Sequence, residues 1–141
     1  MFQSVIDPAT VQAYRETHYC VRGPSPFVLR IGEFSPDLLV AQERHKSECS
    51  AFITACNPYS QVLDGPGNSL RQAELVQELA FRGIAFLEGI GQHPSNAWAS
   101  EESFLVFGIS LEAAKALGRR FEQNAIVWSA ADAVPQLILL R

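Results

Sequence analysis

Charge is scarce in this 141-residue chain. Asp, Glu, Lys and Arg together make up 18% of it, against about 25% in an average soluble domain. Lys and Arg number 11 against 15 Asp and Glu, and the formal net charge is −4. The chain therefore lacks the cationic footprint needed to displace counterions from phosphates, and nucleic acid is excluded as a partner. It has no apolar run near the roughly 20 residues of a membrane helix, and no basic leader before an apolar stretch. Membrane is accordingly excluded, and a cytoplasmic location is expected. Cysteine is low and odd in number, at Cys20, Cys49 and Cys56, without C-x-x-C spacing. A disulfide framework is not expected, and a reducing compartment fits. The histidines His18, His45 and His93 stand outside any H-x-x-x-H pattern, so no metal site is predicted. A complete dinucleotide fingerprint and a Walker A sequence are both missing: Gly89-x-Gly91 has no third glycine. No cofactor is implied.

What is present is apolar and well punctuated. Residues of the AVILMFWYC class make up 48% of the chain and aromatics 10%, enough for one domain with its own core. Asp7-Pro8 and Ser35-Pro36 each place a capping side chain before a proline, which predicts helices over 8–18 and 36–46. Between them 27–31 reads as a strand. The apolar run 50–56 predicts a strand covered on both faces. A Pro- and Gly-rich loop follows over 57–67, then a helix over 69–82 with a capping box at Ser69…Gln72. Residues 84–91 and 102–109 read as strands joined by the loop 93–100. A helix over 111–121 and strands over 125–128 and 136–140 complete the chain.

Alternating helices and strands predict an α/β domain, with α+β as the variant, built on a mixed sheet with helices packed against it. The whole chain, 1–141, is expected to be one domain. The unit from Ala51 to Trp128 has the order of a ferredoxin-like βαββαβ core. The crossover from 50–56 through 69–82 to 84–91 makes those two strands parallel, so their carboxyl ends share one end of the sheet. Both long loops emerge there, and that is where a site is expected.

The side chains brought to that end are Asn57, Ser60, Asn68, Arg71, Trp98, Glu102 and Gln123. Each has a plainer reading beside the functional one. Asn57-Pro58 is also a good turn. Arg71, placed in the first turn of its helix, is unfavourable against the helix dipole unless an anion is near. That anion is Glu101 or Glu102 in a structural pair, or a phosphate or carboxylate of a ligand. Adjacent strand residues face opposite sides, so only one of Glu101 and Glu102 can face the crevice. Cys56 with His93 could form a nucleophile pair, whereas a thiol in an apolar strand is more often inert. Trp98 is a loop anchor or a stacking platform.

The strings Thr54-Ala55-x-Asn57-Pro58-x-Ser60, Asn68-x-x-Arg71 and Trp98-x-x-Glu101-x-Ser103, with Phe121-Glu122-Gln123-Asn124-Ala125, resemble the bacterial family catalogued as domain of unknown function 3293. The similarity runs from about Phe27 onward, with 1–26 as an N-terminal helix and extended segment. The resemblance implies a small stand-alone intracellular bacterial protein, and no activity comes with it. A bulky aromatic often stands in that family where this chain has Cys56, which argues against a catalytic thiol. The expected function is binding of a small polar or anionic ligand in the crevice. The rival is a protein–protein interaction or self-association module, such as a homodimer, built on the sheet edge or on an apolar surface such as 137–140.

Overall fold

A computed structural model describes residues 4–95 and 97–141. Met1–Gln3, and Asn96 of the expected 93–100 loop, lie outside the described residues. Seven strands form one sheet: β1 (His18–Val21), β2 (Phe27–Leu29), β3 (Ser50–Ile53), β4 (Phe86–Gln92), β5 (Glu101–Phe107), β6 (Ala125–Ser129) and β7 (Gln136–Leu139). Their order across the sheet is β2-β1-β4-β5-β3-β6-β7. The helices are α1 (Pro8–Glu16), α2 (Pro36–Arg44), α3 (Gly65–Phe81) and α4 (Leu111–Arg120).

The α/β domain predicted from the alternation is present, but the sheet is not mixed. Every neighbouring pair is antiparallel. β3 and β4 do run parallel, as the crossover argument requires, because each is antiparallel to β5, which lies between them. The segment β3-α3-β4-β5-α4-β6, with spatial order β4-β5-β3-β6, is the ferredoxin-like unit. β1 and β2 extend that unit on one side and β7 on the other.

Strand alternation divides the core into two layers. Ala51, Ile53, Phe104 and Val106 face Leu75 and Leu79 of α3 and Ala114 and Leu117 of α4. Phe52, Leu105, Phe107 and Val127 face the other way, toward Tyr19 and Val21 of β1 and Leu38 and Ala41 of α2. Both faces of β3 are thus covered, and all four of its residues are buried.

Two elements depart from expectation. The first helix ends at Glu16, and His18–Val21 is an interior strand, with Tyr19 and Val21 buried. Four residues are too few for a period to stand out in sequence. α3 starts at Gly65, and its cap is Asp64, whose Oδ1 accepts from Gly67 N at 2.7 Å. Ser69 lies inside the helix, so the capping-box spacing there was coincidental. Pro66 opens this helix, as proline can in a first turn.

Candidate functional site

β3 delivers the chain into a turn held in an uncommon backbone conformation. Asn57, Tyr59 and Ser60 all have positive φ, at 50°, 52° and 61°. Such conformations cost roughly 1–3 kcal/mol each outside glycine, least for asparagine. The surroundings hold the turn in place. Asn57 N donates to Asn68 Oδ1 at 2.8 Å, and Asn68 Nδ2 donates back to Asn57 Oδ1 at 2.8 Å. Leu63 N also donates to Asn57 Oδ1, and Tyr59 N donates to Glu122 O at 2.6 Å. α3 anchors the preceding residues: Ala55 N donates to Gln72 Oε1 at 2.7 Å, and Arg71 Nε donates to Ala55 O at 2.6 Å.

This turn closes one end of a cavity of about 130 Å³ between α1 and the sheet face that carries Tyr19 and Phe52. Its floor includes Phe52, Ser103 and Val127, and its α1 side Ala13, Tyr14 and Thr17. Asn57, Ser60, Gln123 and Asn124 line the turn end, and His93 and Trp98 the loop end. Tyr19 packs edge-on against Phe52 with ring centroids 5.3 Å apart.

Glu101 is the one carboxylate on this lining. Its Oε2 accepts from Asn57 Nδ2 at 2.8 Å. No Lys or Arg pairs with it among the described residues. Burial pushes its carboxyl up from the ordinary 4.5 to about 7, against the opposing pull of the Asn57 hydrogen bond. Burial likewise pushes the Tyr19 phenol above its ordinary range. At neutral pH the cavity therefore holds a carboxyl poised between its two protonation states.

The seven residues expected at this end divide into two groups. Asn57, Ser60, Trp98 and Gln123 line the cavity. Asn68 supports Asn57 from behind. Arg71 lies in the second turn of α3, not the first, because the helix starts earlier, and the dipole argument for it fails. Its guanidinium donates to Ala55 O and Phe121 O and pairs with Glu122 Oε1 at 3.4 Å. Its carboxylate partner is thus Glu122 and neither Glu101 nor Glu102.

Glu102 points to the opposite face from Glu101, as strand alternation demands. It is exposed and pairs with Arg22 at 2.9 Å. With Asn68, Gln72 and Cys56 it borders a shallower depression of about 460 Å³ on the α3 side. Cys56 and His93 consequently line different hollows. Burial raises the Cys56 thiol pKa, and His93 Nε2 pairs with Glu16 at 3.2 Å. No nucleophile pair is assembled, and all three cysteines are free. Among the described residues, no three His, Cys, Asp or Glu side chains are grouped to hold a metal.

The expected list omitted Glu101, Ser103, Tyr14, Tyr19 and Asn124. A signal for the first two was available. In Trp98-x-x-Glu101-x-Ser103 the two polar residues are two apart on a strand, so they share a face. Tyr14 and Tyr19 carried no comparable signal, because only the tertiary fold lays α1 and β1 over the core.

A ferredoxin-like α/β domain, widened by flanking strands and enclosing a polar-mouthed cavity beside its sheet, is the class that fold and site define. The chain belongs to the family described as protein of unknown function (DUF3293), whose model matches residues 53–126. Neither the curated proteins nor the solved structures contain a match. No helix among the described residues is long and apolar enough to cross a membrane.

Proposed function

We propose that this protein binds a small polar ligand in the cavity between α1 and the sheet. One observation carries the reading. Side chains from two of the family-like strings of the sequence gather at the cavity: Thr54, Asn57 and Ser60 from the string at 54–60, and Trp98, Glu101 and Ser103 from the string at 98–103. A strained turn, a partly buried carboxyl with no cation paired to it among the described residues and aromatic rings share one concave place, a combination suited to binding. Arg71, by contrast, is consumed in holding β3 to α3 and α4, so it offers nothing to an anion here. The three free thiols and the family fit a bacterial cytoplasmic setting. The 137–140 segment gives little support to an interaction surface, since Leu137–Leu139 are half-buried and Leu140 is buried.

Gly91 supplies the test. A Cβ there would meet Thr17 Cγ2 at 3.8 Å and Tyr19 Cδ1 at 3.9 Å, which is ordinary contact. Gly91→Val therefore fills the cavity without a clash at Cβ. Small amines, amides, amino acids, polyols and carboxylates should be screened by thermal shift against wild type and Gly91→Val. A ligand that binds only the folded state raises its melting temperature. The expected result is at least one compound that stabilises wild type and not the variant. A screen with no hit, or with hits equal in both proteins, overturns the reading and returns the sheet edge as the working surface.

A further inference from the structure

Most side-chain donors on the cavity lining are already spent on the protein. Tyr19 Oη donates to Tyr14 O at 2.6 Å, and Thr17 Oγ1 to Ala13 O at 2.7 Å. Ser103 Oγ donates to Glu101 O at 3.0 Å, and Thr54 Oγ1 to Glu102 O at 2.6 Å. Gln123 Nε2 donates to Cys56 O and Phe121 O. Asn124 Nδ2 donates to Tyr14 Oη and Ser60 Oγ, both at 3.1 Å. One proton of Asn57 Nδ2 serves Glu101 Oε2, and His93 reaches Glu16 through Nε2 while its Nδ1 accepts from Ser95 N. Three side-chain donors remain among the described residues: the Trp98 indole N–H, the second proton of Asn57 Nδ2, and one of the two protons of the Tyr14–Ser60 hydroxyl pair.

Two side-chain acceptors are open as well: among the described residues Glu101 Oε1 and Gln123 Oε1 have no protein partner, and neither is sealed from solvent. Glu101 is the one of the two that can carry charge, and an occupant seated on it must bring a donor. An ammonium group brings three donors and a positive charge. A carboxylate or phosphate would meet Glu101 with no Lys or Arg on the lining. The rings of Tyr19, Phe52 and Trp98 line the same cavity as the carboxyl, and aromatic faces attract cations. We infer that the ligand is a small organic cation, a protonated primary amine whose ammonium group binds Glu101 and whose apolar stem lies along the aromatic wall.

This inference rests on the cavity being a binding site and names the class of ligand for it. The volume of about 130 Å³ is the space of roughly four to ten waters, so the buried part of the ligand is small. Other ionisable groups face the site from each side. Tyr14 and Tyr19 come from α1 and β1, and His93 from the loop end, its Nε2 lying 3.2 Å from Glu16. Arg141 stands behind Asn124, with Nη1 donating to its Oδ1 at 3.1 Å and the guanidinium stacked over Tyr59. A bound ammonium favours ionised Glu101, so binding below neutral pH expels its proton into solution.

The test uses n-propylammonium, with 1-propanol and propionate as near-isosteres, followed by amide chemical-shift titration of the full chain. At pH 8 the expected result is a saturable shift of cavity residues with n-propylammonium, at least about tenfold tighter than with either isostere. Affinity for the amine should rise about tenfold from pH 6 to pH 8, because the carboxyl ionises near pH 7. Glu101→Gln should weaken the amine about tenfold or more and flatten that profile. 1-Propanol or propionate binding in the cavity as tightly as the amine overturns the cation inference and leaves the binding reading intact. No saturable shift with any of the three also overturns it, while the binding reading stands or falls on the wider screen with Gly91→Val. A pH profile that persists in Glu101→Gln places the titration on another group and overturns the role given to Glu101.

Discussion

Glu101 and Arg71 are both partly buried charges, and they face opposite fates. Glu101 keeps its proton in the folded state up to about pH 7, whereas an unfolded chain loses it near 4.5. Between those values the native state binds more protons, so stability falls as pH rises through the window. The full effect is at most about 3 kcal/mol, and partial exposure makes it less. Glu101→Gln keeps the Asn57 hydrogen bond and removes the charge. Its urea midpoint should exceed that of wild type at pH 8 and match it more closely at pH 5. A wild-type-minus-variant difference that is flat across that range would show that burial does not hold the proton.

Arg71 is the reverse case: its three partners hold β3, α3 and the end of α4 together. Arg71→Ala should cost about 1–3 kcal/mol in urea denaturation, since it leaves the Ala55 carbonyl without a donor and takes one of two donors from the Phe121 carbonyl. Lysine should restore only part of this, because it cannot spread donors over three acceptors in one plane. A loss under about 0.5 kcal/mol would reduce Arg71 to a surface residue.

At the scale of elements, two contrasts follow from the structure and neither follows from residue type. Gly89 and Gly91 lie on the same face of β4. A Cβ on Gly89 would sit 2.6 Å from the Cys20 carbonyl oxygen and 2.8 Å from the Phe52 ring. Backbone cannot step aside cheaply, so Gly89→Ala should cost about 2 kcal/mol or more. Gly91→Ala meets only ordinary contacts and should be neutral or slightly stabilising. Equal melting temperatures for the two variants would contradict the β1–β4 register. The second contrast concerns the start of α3. Asp64→Ala removes the observed cap and should cost about 1 kcal/mol. Ser69→Ala, inside the helix, should stay within about 0.5 kcal/mol of wild type. The opposite ranking would restore Ser69 as the cap.

Across the whole molecule, stability should be graded from the centre of the sheet outward. β5 and β3 are covered on both faces and paired on both sides. β2 and β7 are the edges. Native-state hydrogen exchange should be slowest at β3 and β5 amides and faster at β2 and β7. Edge amides protected as strongly as those of β5 would mean that a partner covers them.

Much of this architecture was legible in the chain. Proline after a capping residue marked α1 and α2, apolar runs marked β3, β5 and β6, and helical spacing marked α3 and α4. These are local signals, set by capping chemistry and by which faces must be buried, so the sequence alone determined the order of elements from β2 onward. It also determined that β3 and β4 run parallel, because a helical crossover on one face leaves little alternative. Which strand lies between them was decided by tertiary structure, since pairing partners depend on distant surfaces that no local period reports. The same holds for the site. Asn57, Ser60, Trp98 and Gln123 could be brought to one end from topology, and the alternation of Glu101 and Glu102 could be read from their adjacency. Which of the two carboxylates is buried, and that Arg71 belongs to Glu122, were settled by packing. Burial and charge partners are properties of a three-dimensional neighbourhood, and here α1 and β1, far away in sequence, complete it.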